Sequence, residues 1–265
     1  MGQLKAAARR REITRMLEEQ GAVSVSELTD HFNVSAMTIR RDLAALSESG
    51  IVSRSGGGAT LKHGSLFELD ISQKMRAQVS QKRAIGKAGA TEVEDGSSVF
   101  IDCGTTPAAV ARELVHHQDL TVFTNSLLAA SVLSKAPHLQ LIMCPGEYRP
   151  RTMGFLGQTT IEFMKNFKVD IAFMGAEGIS GTVGMSVPDA DDCITKREML
   201  DVARKVVFVA DSTKFGQEWL CSICPLEDVD AIVTDCGITE QSLEECRGHQ
   251  VQVKAVCAQD TRLQQ

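Results

Sequence analysis

Residues 24–46 are Ser-Val-Ser-Glu-Leu-Thr-Asp-His-Phe-Asn-Val-Ser-Ala-Met-Thr-Ile-Arg-Arg-Asp-Leu-Ala-Ala-Leu, and this stretch predicts two short helices joined by a sharp turn. Ser24 and Glu27 have the spacing of a capping box, in which each side chain bonds the backbone N–H of the other residue and a helix begins. The turn falls at residues 33–34. Ser35 is the expected cap of the next helix.

A further helix precedes this stretch and a glycine-rich turn follows it. Ile13, Met16 and Leu17 fall on one face of the first helix, and Gly21 stands where glycine commonly ends a helix. Residues 50–59, Gly-Ile-Val-Ser-Arg-Ser-Gly-Gly-Gly-Ala, predict a strand that enters a glycine-rich turn. Three helices followed by such a turn are typical of a winged helix-turn-helix.

The third helix has one apolar face and one polar face. Ile39, Leu43 and Leu46 follow i, i+4, i+7 spacing and define its buried side, so at about 100° per residue the opposite side faces a ligand or solvent. Arginine can bind guanine edges or phosphates, and threonine can donate to either. A solvated charged face is the alternative, but the preceding turn and the following wing favour DNA. The predicted contacts to a double-stranded DNA operator are Ser35, Met37, Thr38, Arg40, Arg41 and Arg54.

The charge distribution confines DNA contact to the front of the chain. The 265 residues carry 28 Lys plus Arg against 34 Asp plus Glu, a net charge of −6, but residues 1–64 carry +2 and the remainder −8. We therefore expect the contact to be concentrated in Arg9 to Arg15, Arg40, Arg41 and Arg54. No stretch of about 18 apolar residues and no signal-peptide pattern is present, which predicts a cytoplasmic protein without membrane contact.

The eight cysteines lie mostly inside apolar runs, as expected for buried thiols in a reducing compartment. Cys221 and Cys224 form the only CxxC pair, and no second pair or histidine follows at the spacing of a zinc finger. The sequence therefore predicts no metal and no cofactor.

The rest of the chain alternates short apolar strands with helical stretches. Residues 1–60 form the predicted DNA-binding domain, residues 61–81 a linker with one short helix, and residues 82–265 an α/β domain with a largely parallel sheet. The predicted strands are Ser98–Asp102, Leu120–Thr124, Leu139–Cys144, Val169–Met174, Val206–Asp211 and Ala231–Thr234. Ligands bind at the carboxyl ends of the strands in such sheets.

Residues 102–107, Asp-Cys-Gly-Thr-Thr-Pro, follow the first of these strands and predict an anion-binding helix N-terminus, with Pro107 at the first helical position. A Gly-Thr-Thr turn alone is more often a simple helix cap. Polar residues and glycines after the other strands favour a ligand site. Asp192 and Lys196 have i, i+4 spacing, which also suits an ordinary helix salt bridge.

The segment Ser24 to Leu46, together with Arg54 and residues 57–59, resembles the DeoR family of bacterial transcriptional regulators, and the later segments extend the resemblance over Arg9 to Val256. The resemblance implies a sensor domain similar in fold to ribose-5-phosphate isomerase and glucosamine-6-phosphate deaminase, which binds a phosphorylated sugar or related metabolite. The family usually has aspartate at position 177 and glutamate at position 192, whereas this sequence has Glu177 and Asp192. The identity of the sugar therefore stays open. The implied effector-binding residues are Asp102, Gly104, Thr105, Thr106, Asn125, Gly146, Arg149, Glu177, Asp192, Lys196 and Lys214.

Two functions from different classes remain at this point. One is a transcriptional regulator, not an enzyme, that represses a carbohydrate-utilisation operon until a sugar phosphate binds. The other is a sugar-phosphate isomerase or deaminase that would use Asp102, Lys196 and Lys214 as acid and base groups. The outward arginines of the third helix favour the regulator. Because a short recognition helix contacts few base pairs, we expect a homodimer or homotetramer.

Overall fold

The computed structural model describes residues 6–20, 22–48, 52–55, 57–61 and 71–258. The chain divides into two compact units, residues 1–67 and residues 68–265. Gly21 and Gly56, which the sequence places at turns, lie outside the described residues. No helix within the described ranges is long and apolar enough to cross a membrane.

The front unit combines three helices with a small antiparallel sheet in its described part. The helices are α1 (Ala6–Gln20), α2 (Val25–Phe32) and α3 (Ala36–Glu48), and the strands are β1 (Ala22–Ser24), β2 (Val52–Ser55) and β3 (Gly58–Leu61). The sheet order is β1-β3-β2, so the predicted wing is confirmed and β1 is an additional strand. A Cβ at position 58 would lie 2.1 Å from the Val23 carbonyl oxygen, which explains glycine at this close approach.

Local side-chain contacts set the helix ends as the sequence predicts. The Ser24 Oγ accepts from the Glu27 N–H at 3.1 Å, and the Glu27 carboxylate accepts from the Ser24 N–H at 2.8 Å. Asn33 ends α2 in a left-handed conformation, with φ 49° and ψ 49°. The Thr38 N–H donates to the Ser35 Oγ at 3.3 Å at the start of α3. The predicted apolar faces of α1 and α3 pack together, with Ile13, Met16, Leu17, Ile39, Leu43 and Leu46 all buried.

A buried carboxylate also joins α1 to α3. The Arg9 Nε donates to Asp42 Oδ2 at 2.6 Å, and the Arg10 Nε donates to Asp42 Oδ1 at 2.9 Å. The side chains of Arg9 and Asp42 are 9% and 2% exposed. A buried ion pair is tolerated only while both partners are present, so this contact fixes how the two helices pack.

The second unit is an α/β domain. Its helices are α4 (Ile71–Arg76), α5 (Val79–Ala90), α6 (Thr105–Leu114), α7 (Leu127–Leu133), α8 (Gln158–Met164), α9 (Ala190–Val202) and α10 (Glu240–Gly248). Its strands are β4 (Ser98–Ile101), β5 (Thr121–Thr124), β6 (Gln140–Met143), β7 (Glu147–Arg149), β8 (Gly154–Leu156), β9 (Val169–Met174), β10 (Gly178–Ser180), β11 (Gly184–Val187), β12 (Ala203–Val209), β13 (Cys221–Cys224), β14 (Ala231–Asp235) and β15 (Gln252–Val256).

Seven of the described strands form one parallel sheet in the order β15-β14-β12-β9-β4-β5-β6. Side chains alternate between its two faces: Val99 and Ile101 pack with α5, α6 and α7, and Phe100 packs in the core that includes side chains of α8, α9 and α10. The parallel sheet and its six predicted strands are confirmed. The edge strand β15 and the short strands outside this sheet were not predicted.

The sheet order creates a crevice between β4 and β9. After β4 the chain continues to β5 and β6 on one side, whereas β9, β12, β14 and β15 lie on the other side. The connection that leaves the carboxyl end of β4 therefore runs to one side of the sheet, and the connection that leaves β9 runs to the other side. Open α/β sheets bind ligands at such a topological switch point.

Residues 68–81 belong to the second unit, where the sequence suggests a linker over 61–81. Helix α4 is the predicted short helix, and its Ile71 is buried. Helix α5 begins at Val79, three residues before the expected start at Lys82. The packing of this segment was not predicted from the sequence, because the segment is polar and its buried side chains include Lys74.

Replacing Asp42 by Asn tests the packing of α1 on α3. The neutral amide removes the charge that the buried Arg9 and its neighbour Arg10 bind, so we expect the free energy of opening the front unit to fall by about 3 kcal/mol. Amide hydrogen exchange of peptides from α1 and α3 measures this loss in the full chain. The exposed Asp30 of α2 supplies the control, Asp30→Asn. Equal protection in the two variants contradicts the structural role of Asp42.

Candidate functional sites

The polar face of α3 lies on the surface of the front unit. Met37 is 64% exposed, and Arg40 and Arg41 are exposed one turn further along the helix. Thr38 is half-buried, and its hydroxyl lies 2.9 Å from the Ser35 Oγ. These residues occupy the first half of α3, where the positive end of the helix dipole attracts phosphate. The predicted outward face is thus present as one continuous surface.

Arg54 lies in β2, opposite Ala59 of β3, so its backbone is part of the wing. Its side chain lies outside the described residues. The DNA role of Arg54 therefore stays a prediction from the sequence.

The arginines of α1, which the sequence predicts to contact DNA, differ in burial and in their ion-pair partners. Arg9 is buried against Asp42, so the expectation that it contacts DNA is wrong. Arg10 bonds the same carboxylate, and Arg15 pairs with Glu12 on its own helix. Sequence position alone gave no sign of the contacts to Asp42, because Asp42 is 33 residues away from Arg9.

The second candidate site is a cleft at the switch point between β4 and β9. Asp102 follows β4, is fully buried, and accepts from the Gly175 N–H at 2.9 Å and from the Cys103 N–H at 2.7 Å. Gly104 has φ 124°, a conformation that favours glycine, and turns the chain into α6. Gly104, Thr105 and Thr106 at the start of α6 line a cleft whose empty volume is about 540 Å3 when the open solvent at its mouth is included.

Pro107 is the third residue of α6, because the helix begins at Thr105; its predicted place at the first helical position is wrong. The third position also suits proline, since the first turn of a helix has no partner for its N–H groups. The N–H groups of Thr105 and Thr106 therefore have no acceptor within α6. The predicted helix N-terminus is present, and anion binding there stays a prediction from the sequence.

A buried ion pair forms one wall of the cleft. The Lys196 Nζ donates to Asp102 Oδ2 and lies 3.5 Å from Asp192 Oδ1, one helical turn earlier on α9. Burial lowers the pKa of Lys196, but the carboxylates of Asp102 and Asp192 outweigh it and raise that pKa well above its ordinary value. Lys196 is therefore a fixed cation held between two carboxylates.

Asp102, Cys103 and Asp192 are the only set among the described residues with spacing suited to a metal ion, with ligand atoms within 4.8 Å of one another. The Lys196 ammonium already contacts both carboxylates. Burial, followed by the charges of Asp102 and Asp192, raises the pKa of the Cys103 thiol well above its ordinary value. This donor set fits an ammonium better than a metal, because a metal would have to displace Lys196 and deprotonate Cys103.

The opposite wall contains a second ion-pair cluster. The Glu177 carboxylate accepts from Lys74 of α4 and, at 2.7 Å, from Lys214. Burial raises the pKa of Glu177, but the ammonium groups of Lys214 and Lys74 outweigh it and hold that pKa well below its usual range. Trp219 donates its indole N–H to the Glu177 carbonyl at 2.9 Å, so the single tryptophan touches this cluster.

Lys82 also lines the cleft, and within the described ranges no carboxylate is hydrogen-bonded to its ammonium. Its Nζ donates to the carbonyls of Lys74 at 2.5 Å and Ala77 at 2.9 Å. Burial lowers the pKa of Lys82 from 10.5 to about 8, against the opposing charge of Asp211. Lys82 thereby holds the carboxyl end of α4 against the cleft.

The cleft brings together most, but not all, of the predicted effector-binding residues. Those that line it are Gly104, Thr105, Thr106, Glu177, Asp192, Lys196 and Lys214. Further lining residues that were not predicted are Lys74, Lys82, Thr152 and Asp211. Asp211 lies two residues beyond the end of β12, so the search for polar residues after strands that selected Lys214 was sufficient to find it.

Four predicted residues lie outside this lining, and one of them, Asp102, is the fully buried partner of the lining residue Lys196. Asn125 is fully buried after β5, and its amide has no hydrogen-bond partner in the described part of the chain. A Cβ at Gly146 would lie 2.1 Å from the Thr160 Oγ1, so this glycine serves close packing. Arg149 is carried outward on β7 and pairs with Asp191 at 2.7 Å.

Two family models match the chain. The DeoR-like helix-turn-helix domain matches residues 9–64, and the DeoR C-terminal sensor domain matches residues 77–236. The glycerol-3-phosphate regulon repressor of Escherichia coli K12 is 33% identical over 251 residues, covering 95% of this chain and 99% of its own. The uncharacterized regulator YgbI of the same strain is 36% identical over 234 residues, covering 88% and 91%.

Among solved structures, ribose 5-phosphate isomerase A of Methanocaldococcus jannaschii matches with a TM-score of 0.38 and 18% identity. The match covers 51% of this chain and 53% of that protein. Because the TM-score is only 0.38, the likeness to the isomerase fold that the family resemblance implies stays a prediction from the sequence.

The environment of Lys82 predicts a pH-dependent stability. Its pKa in the folded chain, about 8, is below the ordinary 10.5, so the folded state binds fewer protons between these values. The free energy of unfolding should therefore rise with pH across this window. The rise is about 1.4 kcal/mol per pH unit where Lys82 is deprotonated in the folded chain and still protonated in the unfolded chain. Lys82→Met should remove this part of the rise.

Urea unfolding of the full chain between pH 7.5 and 10 measures the effect. Lys87→Met is the matched control, because Lys87 lies on the same helix and is exposed. An unchanged slope in Lys82→Met, relative to Lys87→Met, contradicts the depressed pKa.

Proposed function

This chain belongs to the DeoR family of transcriptional regulators, and from that premise we propose that it represses a carbohydrate-utilisation operon until a phosphorylated sugar or related metabolite binds the cleft. The single observation that carries the proposal is the joint presence of an outward, arginine-bearing α3 and an anion-binding cleft in one chain. We place this activity in the cytoplasm, where operator DNA is accessible.

The DNA-binding half of the proposal rests on α3 and the wing. Arg40 and Arg41 are exposed on the face opposite the packed core, and Met37 and Thr38 precede them on the same helix. A helix in the major groove contacts base edges with such residues from its first turns. Arginine supplies both bidentate guanine contacts and phosphate contacts.

The effector half rests on the helix N-terminus and on the surrounding lysines. A phosphate at the start of α6 would accept from the free N–H groups and from the Thr105 hydroxyl, while Lys214 and Lys74 lie in the same cleft. Asn125 is fully buried outside the lining of this cleft, so its part in effector binding stays a prediction from the sequence. Glycerol 3-phosphate leads the set of ligands to test, given the name of the Escherichia coli relative.

The isomerase or deaminase alternative has less support from the same geometry. A catalytic base needs a carboxylate free to take a proton, whereas Asp102 accepts from Lys196 and two backbone N–H groups and is fully buried. A buried and paired carboxylate suits a structural role. Assay of the full chain for isomerisation of sugar phosphates tests this alternative directly.

We also propose a homodimer or homotetramer, since one α3 contacts only a few base pairs and repeated half-sites require two. Light scattering of the full chain with and without DNA measures the assembly. A monomer on its operator contradicts this part of the proposal.

Replacing Arg40 or Arg41 by Ala tests the DNA-binding face. Each variant should bind a duplex selected by the protein from a random library about tenfold or more weakly, and loss of a phosphate contact should reduce the salt slope of log affinity by about one. Fluorescence anisotropy at several salt concentrations measures both quantities. The exposed Arg112 of α6 provides the charge-matched control, Arg112→Ala. If both α3 variants bind like this control, the assignment of α3 is wrong.

Replacing Thr105 by Val tests the phosphate site. The isosteric change removes a hydroxyl donor to a charged acceptor, so affinity for the effective sugar phosphate should fall about tenfold or more, with little change for its parent sugar. A thermal-shift screen of the full chain against sugar phosphates and parent sugars identifies the ligand, and Trp219 fluorescence then measures affinity. Thr121→Val, on the half-buried start of β5, is the control. Equal losses for both members of a ligand pair contradict the site.

A further inference from the structure

Cys236 and Cys257 follow two neighbouring parallel strands, β14 and β15. Asp235 pairs with Val256 in the sheet register, and the Cys236 N–H donates to the Val256 carbonyl at 3.0 Å. The ladder therefore extends one residue beyond the strands and sets Cys236 opposite Cys257. Both side chains are exposed, and the neighbouring Cys236 thiol raises the pKa of the Cys257 thiol.

This placement meets the geometric requirements of a disulfide. Residues directly opposite on parallel strands project to the same face, and neighbouring strands lie about 4.8 Å apart. That spacing falls within the roughly 4.4–6.8 Å that separates the Cα atoms of bonded cysteines. Oxidation therefore requires no rearrangement of the sheet.

The other cysteines differ from this pair in exposure. Cys103, Cys144, Cys193, Cys224 and Cys246 are buried, and Cys221 is half-buried. Burial raises the pKa of the Cys144 and Cys224 thiols to about 12, which keeps them protonated. Access to the oxidant is one control on thiol oxidation, and among the described residues Cys236 and Cys257 are the exposed thiols.

We propose that Cys236 and Cys257 form a reversible intramolecular disulfide when the protein meets hydrogen peroxide or an organic hydroperoxide. One thiolate attacks the peroxide, the O–O bond breaks, and a sulfenic acid forms with release of water or an alcohol. The second thiol attacks the sulfenic sulfur, the S–S bond forms, and a second water leaves. Two thiols are oxidised and one peroxide is reduced, and a dithiol reductant reverses the bond.

The pair is close in sequence to a contact that supports the cleft. The Asp235 carboxylate accepts from the Ser212 N–H at 2.7 Å and from the Ser212 hydroxyl at 2.9 Å. Ser212 begins the short 3-10 turn Ser212–Lys214, and Lys214 lines the cleft. The disulfide thus fixes the edge strand β15 beside the residue that anchors this turn.

Peptide mapping of the full chain tests the proposal. The reduced protein is treated with hydrogen peroxide, digested without reductant and sequenced by mass spectrometry. We expect a cross-linked peptide pair joining Cys236 to Cys257, a loss of about 2 Da per chain and the loss of two titratable thiols, all reversed by dithiothreitol.

Matched serine variants separate this bond from other oxidation. Cys236→Ser and Cys257→Ser should each abolish the cross-link and leave the remaining exposed thiol to oxidise to sulfinic acid, whereas Cys221→Ser should retain the cross-link. Absence of the 236–257 peptide, linkage of either cysteine to another residue, or a bond between chains would overturn the proposal. This outcome is independent of DNA and effector binding, so it leaves the proposed function unaffected.

Discussion

The second unit depends on one carboxylate, Asp102, at the carboxyl end of β4. It accepts from Lys196 of α9, from the Gly175 N–H after β9 and from the Cys103 N–H before α6. A fully buried charge is tolerated only with its partners in place, so these three segments must meet before the carboxylate is stable. The partner lysine is 94 residues away along the chain. The same contact that joins these segments also places the start of α6 at the edge of the cleft.

The front unit follows the same physical rule on a smaller scale. Asp42 on α3 binds Arg9 and Arg10 of α1, and thereby fixes the rotation of α3 about its own axis. Since Asp42 faces inward, its neighbours Arg40 and Arg41 face outward. The basic residues near the front of the chain therefore divide into two groups. On α1, Arg9 is buried and has a structural role. On α3, Arg40 and Arg41 are exposed and available to bind a polyanion.

Local patterns were sufficient to predict much of the fold. The capping box at Ser24, the apolar face of α3 and the apolar strands of the parallel sheet all depend on near neighbours in the sequence. Contacts between distant segments were not accessible in this way. Lys74 lies in a polar stretch that resembles a linker, and only the folded chain brings it to Glu177. Arg149 follows a strand end as the rule requires, yet a hairpin carries it to Asp191. Strand β15 is half-exposed, so its apolar signal was weak.

The cleft contains positive and negative side chains that already balance one another before a ligand binds. Four lysines around it, Lys74, Lys82, Lys196 and Lys214, are balanced by the carboxylates of Asp102, Glu177, Asp192 and Asp211. An unliganded site of this kind carries little mutual repulsion, so the fold does not depend on a bound anion. A phosphate bound at the start of α6 can contact Lys74 or Lys214 only by exchanging partners with the Glu177 carboxylate. Charge alone therefore gives simple inorganic anions little advantage at this site, and selection among ligands falls to the shape and hydrogen-bonding pattern of the group attached to the phosphate.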